Sequence, residues 1–564
     1  MSRDIDKNPT LVDFKKTNVE SEEVCLLSEP SSAYDAADNV NGNEDQNGGY
    51  ALPRHKLRIV VSSLYICAYL AALDATVVST LLSVIASDLN SFGNMSWIAT
   101  AYLLSCSALQ PIHGRLSDIF GRKILLIGCA VFFALGCLIC MAHSMTFVVI
   151  GRFIAGIGGS GLTTLTTIIL SDLIPLRDRG VYQGYTNSFY GLGVATGGIF
   201  GGVINDYFGW RYAFGLQVPL ACILGVSLYF NLQFPKGSPG LGSPGHFKEK
   251  LAKVDFLGST LLVSGLLVLL TAASIGGKEV AYSSKPFIGL CLASVFLFGT
   301  FVWAESHTPL QPIIPISLLR RRTILASSMT NWFYTMGVFT YLFYVPIYYI
   351  SVMDYNTTKI GMRLIPNFFG TSLGSVGAGI YMKRTGRYYN LIIVIGVLAI
   401  VGNLNILSIN PTISNLRQFT LLLPCGLAYS GILTATLMSL IAAVPASHQA
   451  GTTSISYTFR ATGSTLGVSI SSAIFQYSLR SMLNSKIPSI VNDQVMSDYI
   501  IKHALQSTSY ASKAPEYVQV ALRCCYEYAV KKTLLFSFIC VVIGVFASLF
   551  IQEHELHTSI NRNK

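Results

Sequence analysis

This sequence is short of charge: only 12% of its 564 residues are Asp, Glu, Lys or Arg, while 51% are hydrophobic. Soluble globular domains carry about 25% charged residues, so an ordinary water-soluble protein is excluded. The twelve cysteines show no metal-ligand spacing. Cys67, Cys106, Cys129, Cys137, Cys140, Cys222, Cys291, Cys425 and Cys540 lie within apolar segments, where cysteine behaves as a small hydrophobe. No disulfide framework or metal site follows, and only the adjacent Cys524 and Cys525 fall in a long polar stretch. Also missing are a His-Glu-x-x-His helix, a metal-binding cysteine pair and a Gly-x-Ser-x-Gly elbow at a strand-to-helix turn, so no enzyme and no cofactor is expected. The formal charge of +11 falls in short basic clusters between apolar runs, not along one stripe. That pattern speaks against nucleic acid and for a positive-inside membrane protein.

Residues 1 to about 53 lack any apolar run of signal-peptide type and hold eleven acidic residues against Arg3, Lys7, Lys15 and Lys16. They read as a disordered acidic cytosolic tail. Within it, Glu22-Glu23-Val24-Cys25-Leu26-Leu27 matches the acidic dileucine pattern read by sorting adaptors. So short a pattern also arises by chance, but the tail is otherwise poor in leucine, which favours sorting through Glu22, Leu26 and Leu27.

Apolar runs long enough to span a ~30 Å hydrocarbon core as helices follow at about 57–82, 96–112, 124–142, 147–170, 183–204, 211–233, 255–276, 286–304, 324–350, 358–381, 390–409, 417–444, 453–476 and 533–551. Fourteen transmembrane helices are therefore expected. The short loops on the side of the tail hold fifteen Lys or Arg and those on the other side about six, which places both termini in the cytosol. Residues 477–532 are polar, and a long non-cytosolic loop is expected there. Sequons at Asn94 and Asn356 fall on that same side.

Between the second and third runs stands Gly114-Arg-Leu-Ser-Asp118-Ile-Phe-Gly121-Arg122-Lys123, a glycine-bounded turn with charges between two apolar helices. A weaker copy returns at Gly379-Ile-Tyr-Met-Lys383-Arg-Thr-Gly386-Arg387, with the glycines and last arginine at matching offsets. This resembles the signature loop of the major facilitator superfamily, in two related halves. The copies follow helices 2 and 10, so the separation implies two helices inserted between two six-helix bundles. That 6 + 2 + 6 layout is the one of the fourteen-helix drug:proton antiporter branch. The expected division is a tail over 1–53, an N-terminal bundle over 57–233, inserted helices over 255–304, a C-terminal bundle over 324–551 that includes the 477–532 loop, and a cytosolic tail over 552–564.

Asp74, in Leu73-Asp74-Ala75-Thr76, is a carboxylate at membrane depth, which costs ~2.5 to 3.5 kcal/mol unless it is wet, paired or protonated. It is read as a proton or substrate site; a helix-to-helix hydrogen bond or a pair with an arginine is the alternative. The branch named above has an Asp in this context. Arg152, before Gly156-Ile-Gly158-Gly159, resembles the superfamily's second motif, whose arginine is held to influence proton movement. A fixed ion pair holding helix 4 is the other reading. The Gly156-x-Gly158-x-x-Gly161 match to a dinucleotide fingerprint is discarded because no strand precedes it.

Gly184, Gly193, Gly197, Gly198, Gly201 and Gly202 have the spacing of the antiporter motif, with Gly198 where a proline is usual, and are expected to pack against the other half. Asp118, Arg122 and Arg179, with Gly114, Gly121 and Lys123, are expected to form a conformational charge network facing a helix start in the other half. Asp172 either joins it or is a solvated helix end. Arg460 either snorkels to the cytosolic side or packs, the favoured reading, or faces Asp74 across a cavity. Tyr190, Trp332, Tyr334 and Tyr341 are candidate aromatic contacts.

The further runs Trp97-Ile-Ala-Thr-Ala-Tyr-Leu-Leu, Arg179-Gly-Val-Tyr-Gln-Gly and Gly209-Trp210-Arg211-Tyr-Ala-Phe-Gly-Leu-Gln217-Val-Pro219 are most similar to fungal vacuolar basic amino acid transporters. The resemblance covers residues 57–476. It implies an all-α antiporter that exchanges protons for Lys, Arg or His across the vacuolar membrane into the lumen. A plasma-membrane exporter of drugs or toxic cations and a non-transporting nutrient sensor remain as alternatives. The implied partners are protons, a small cationic substrate, the bilayer and a sorting adaptor.

Overall fold

The computed structural model describes residues 52–89, 95–234, 238–276, 280, 283–307, 316–355, 357–445, 448–491, 493–506 and 510–556. The acidic tail with Glu22, Leu26 and Leu27, and both sequon asparagines, lie outside them. Among the described residues the chain is helical, with an isolated bridge between Gly276 and Val280 and no strand. Long helices are α1 (Arg54–Asp88), α2 (Met95–Phe120), α3 (Arg122–Cys140), α4 (Met145–Leu173), α5 (Leu176–Phe208) and α6 (Trp210–Asn231, broken at Leu216). They continue as α7 (Phe256–Ile275), α8 (Lys285–His307), α9 (Arg322–Ser351), α10 (Thr357–Thr385) and α11 (Tyr389–Leu407). The last are α12 (Leu423–Ala442), α13 (Gln449–Lys486) and α14 (Glu516–Ser548).

In a bilayer each backbone N–H and C=O needs a partner within its own segment, which is why apolar sequence of this length becomes helix. Ten helices among the described residues are long and apolar enough to cross a membrane. The long helices outside that set are α2, α5, α10 and α13, and these are the ones that join the halves, α5 packing on α10 and α2 on α13. Facing protein on more than one side, they carry small and hydroxyl residues in place of leucine. On α13 the cost of burying those hydroxyls is offset locally: Thr458 donates to the Ser454 carbonyl and Thr462 to that of Thr458, each at 2.8 Å.

Two apolar cores result. One joins residues of α1, α3, α4 and α6, among them Leu64, Phe133, Leu165 and Phe214; the other joins α9, α11, α12 and α14, among them Tyr348, Ile392, Ile432 and Val541. Helices α7 and α8 pack on each other, and α7 leans on α2 and α13 through Leu262, Leu266, Ala108 and Ile455.

The expected loop over 477–532 is not an irregular loop. Helix α13 runs on to Lys486, short helices cover Gln494–Gln506 and Tyr510–Lys513, and α14 begins at Glu516, not at 533. Its buried Ile487, Ile500, Ala504, Val518, Leu522 and Tyr526 belong to the second core, and the Tyr526 hydroxyl donates to the Ala504 carbonyl. An apolar run marks only the part of a helix that meets lipid; an amphipathic continuation needs one buried stripe and passes unnoticed. Cys524 lies in this cap, where Lys486 Nζ stands 3.0 Å from its sulfur.

Candidate functional site

Asp74 on α1 and Arg152 on α4 meet although 78 residues separate them. Arg152 Nη1 donates to both carboxylate oxygens, at 2.9 Å to Oδ1 and 2.7 Å to Oδ2, while its Nε reaches the Ile98 carbonyl at 3.3 Å. The guanidinium lies 4.3 Å over the Tyr102 ring, and Tyr102 donates to the Ala71 carbonyl at 3.2 Å. Neither charged side chain is more than 1% exposed. Each charge therefore answers for the other, as two buried ions must. In this conformation both Asp74 oxygens are engaged by Arg152, and neither is open to another cation until the pair separates.

Glycines bring these helices close enough. A Cβ on Gly156 or Gly159 of α4 would strike Ser105 Oγ at 1.9 Å or the Tyr102 hydroxyl at 2.4 Å, and one on Gly158 the Cys129 carbonyl at 2.4 Å. Gly193 and Gly197 of α5 do the same against α1, at 2.4 Å from the Tyr69 carbonyl and 1.9 Å from Thr76 Oγ1, and Gly201 faces Val77. This corrects the expectation for the antiporter motif. Gly184 packs on the other half, against Val376 and Ser375 of α10, but Gly193, Gly197 and Gly201 line up on the helix that carries Asp74. A helix crossing between two neighbours presents different turns to each. Gly198 is near Thr80 only, and a Cβ on Gly202 would meet nothing within 4 Å.

The signature turn forms at Gly121, whose φ of 98° ends α2 and lets Arg122 begin α3 at once. Arg122, 1% exposed, bonds Asp118, reaches Asp172 Oδ2 through Nε at 2.8 Å and Ser117 Oγ through Nη1 at 2.9 Å. Asp172 is thus part of the cluster. Arg115 stands 3.7 Å from Asp118, and Lys123 lies 4.9 Å over the Tyr229 ring. Arg179 bonds the Ile174 carbonyl at 2.6 Å and crosses to Gln449 Oε1 on α13 at 3.0 Å. Sequence reasoning missed a clasp on this turn: Ser243 N–H donates to the Ile119 carbonyl at 3.1 Å, and Gly242, at φ 79°, leaves no room for a Cβ beside Gly121.

The halves are held together on the face of this turn, called here the loop face. Gly114 lies against Ala450 and Ser454, and Gly180 against Gly379, with a Cβ on Gly379 only 2.3 Å from the Gly180 carbonyl oxygen. Lys383 pairs with Asp178 at 3.2 Å, and Arg177 donates to the Lys383 carbonyl at 2.8 Å, so the weaker signature copy binds the first half directly. Deeper in, Asn187 donates to Ser375 Oγ at 2.8 Å and Thr434 Oγ1 at 3.2 Å, and Thr167 and Tyr457 share a 2.7 Å hydrogen bond. Farther from the loop face α5 and α10 part, leaving a groove of about 350 Å³ between Phe189, Leu192, Ala195, Ile365 and Phe369. These polar groups gave no signal in sequence, except that Asp178 and Lys383 are opposite charges in loops of the two halves expected on the same side.

Arg460 does not snorkel. Its Nη2 turns inward to the Leu433 carbonyl of α12 at 2.7 Å, and its guanidinium lies 5.3 Å from the Tyr457 ring centre. Nor is it paired with Asp74, which belongs to Arg152. Of the aromatic candidates, Tyr334 and Tyr341 are 1% exposed and pack in the core, Trp332 meets Phe459 edge to face, and Tyr190 is 43% exposed. Among the described residues no group of His, Cys, Asp and Glu is arranged to hold a metal.

The family model of the Major Facilitator Superfamily matches residues 64–468. The multidrug resistance protein fnx1 of Schizosaccharomyces pombe is 33% identical over 89% of this chain and 94% of its own length. Vacuolar basic amino acid transporter 2 of Saccharomyces cerevisiae is 31% identical over 78% of this chain and 94% of its own. The crystal structure of the human organic anion transporter MFSD10 superposes with a TM-score of 0.53 at 14% identity, over 86% of this chain and 99% of that one. Fold, repeated loop and family model agree: the chain belongs to the major facilitator superfamily and is a membrane transporter, not an enzyme.

Proposed function

We propose that this protein is a proton-coupled antiporter that moves lysine, arginine and histidine from the cytosol into the vacuolar lumen. It does so with fourteen spans arranged 6 + 2 + 6 and both termini in the cytosol. The observation that carries the reading is the Asp74–Arg152 pair, sealed from water by α1, α2 and α4. A proton on Asp74 removes the charge that Arg152 answers, and the freed guanidinium then needs another partner. Protonation and helix movement are coupled by that need. With the termini inside, the loop face is cytosolic, and the contacts of Gly114, Arg179, Gly379 and Lys383 close the halves there. Separation of the Asp74–Arg152 pair on the lumenal side is the step that lets an acidic lumen load Asp74 as substrate leaves. The name of the yeast vacuolar relative supports the substrate class and the compartment.

Labelled lysine, arginine and histidine should enter vacuolar-membrane vesicles acidified by ATP hydrolysis when the protein is present. Uptake should vanish in its deletion and when the pH gradient is collapsed. Vesicles with verified protein that take up none of the three would overturn the reading. Sorting is tested separately: Leu26→Ala with Leu27→Ala should move the protein to the cell surface, and an unchanged vacuolar signal in microscopy removes the dileucine from the account.

A second reading is favoured by the multidrug relative and by the apolar groove between α5 and α10. It makes the protein a plasma-membrane antiporter of drugs or toxic cations.

A further inference from the structure

We propose that Arg460 binds the carboxylate of the transported amino acid in the space between the two halves; this deepens the amino acid reading above and rests on it. Arg460 lies eleven residues into α13, about 16 Å from the start of that helix, near mid-membrane. Among the described residues its side chain makes one hydrogen bond, to the main chain of Leu433, and its Nε is buried with no acceptor. Among the described residues no carboxylate pairs with it. The contrast with Arg152 is direct: there, one carboxylate takes up the charge and Nε has a carbonyl; here, the charge stands uncompensated and one edge of the guanidinium is unused. A fold does not keep a guanidinium at this depth without a partner for part of its cycle.

The surroundings show where that partner comes from. Tyr457, beside Arg460, is bonded to Thr167 of the first half, so the site spans the junction that opens and closes. Tyr429 of α12 stands one helical turn before Leu433, whose carbonyl holds Arg460, and Tyr190 of α5 is 43% exposed. An arginine edge matches a carboxylate in a planar, two-bond fit. Lysine, arginine and histidine all carry that group, and a simple cation or a diamine does not. The tyrosine faces next to it suit the ammonium end of the same molecule.

The test uses the full-length protein in acidified vacuolar-membrane vesicles. Uptake of labelled lysine is competed with unlabelled lysine, with lysinamide, and with cadaverine, which is lysine without its carboxylate. A site built around a carboxylate should prefer lysine over both analogues by about 100-fold. Arg460→Gln should raise the KM for lysine by about 10- to 100-fold while inhibition by cadaverine stays the same, and Arg460→Lys should recover only part of the loss. Equal competition by lysine, lysinamide and cadaverine in the unaltered protein overturns the carboxylate assignment but leaves lysine transport standing; it needs no variant to fold. No protein-dependent uptake of any basic amino acid overturns both.

Discussion

Asp74→Asn is expected to abolish proton-driven uptake and to lower the thermal stability of the purified protein. The substitution leaves the Arg152 guanidinium, 1% exposed, without its counter-ion, and removing one partner of a buried pair costs ~3–5 kcal/mol. That stability loss by itself does not make Asp74 a proton carrier, so the double variant decides. Asp74→Asn with Arg152→Gln replaces two ions by two amides that can still bond across α1 and α4. Replacing both members of a buried pair is often close to neutral for stability. The double variant should therefore melt near the unaltered protein and exchange labelled for unlabelled lysine across the membrane, yet fail to accumulate lysine against a gradient. Uphill accumulation at the normal rate by the double variant would show that the pair is a structural tie alone. Recovered stability with lost accumulation ties the proton to Asp74.

The second large effect is expected at the seal of the loop face. Gly379→Val puts a branched side chain where a Cβ already falls 2.3 Å from the Gly180 carbonyl oxygen and 2.5 Å from its carbon. Those are backbone atoms and cannot swing aside. Overpacking of this kind costs ~1–3 kcal/mol, enough to lower the ratio of closed to open states by ~5- to 150-fold. Uptake should fall accordingly while the protein remains in the membrane at its usual amount. A cross-link reports the conformation directly. Cysteines introduced as Asp178→Cys and Lys383→Cys replace an ion pair whose Nζ and Oδ1 stand 3.2 Å apart; a thiol-to-thiol linker about as long as the lost lysine side chain should join them in the otherwise unaltered chain and poorly with Gly379→Val added. Gly377→Val, on the same helix but with nothing within 4 Å of its Cβ, is the control and should leave both readouts unchanged. If Gly379→Val joins the cysteines as well as its parent, Gly180 and Gly379 do not form the seal.

How far the residues could be read differs from one to the next. Asp74, Arg152 and Arg460 stood out in the sequence because ionisable groups in apolar helices are rare, whatever surrounds them. Their partners did not stand out. Arg152 closes on an aspartate 78 residues away, and nothing local separates that pairing from the alternative in which Asp74 faces Arg460. The glycines of α5 were legible as close-packing positions, but not the helix each one packs against. Gly184 faces α10 while Gly193 and Gly197 face α1, because a helix of 33 residues passes more than one neighbour. Asn187, Thr434 and Gln449 gave no signal at all, since single polar residues on amphipathic helices look alike until a second helix supplies the acceptor.

The amino-acid sequence by itself determined that this is a helical membrane protein and where its apolar spans run. It also determined that a charged turn recurs in two related halves. Those properties follow from local physics: a segment in lipid must satisfy its own backbone, and a glycine-bounded turn needs only its own residues. What only the tertiary structure decided is which charges neutralise one another, which face is sealed and which arginine is left with an open edge. Each of these depends on how helices far apart in the chain are rotated and spaced, and a shift of one or two ångströms, the size of a methyl group added to Gly197 or Gly379, changes the answer.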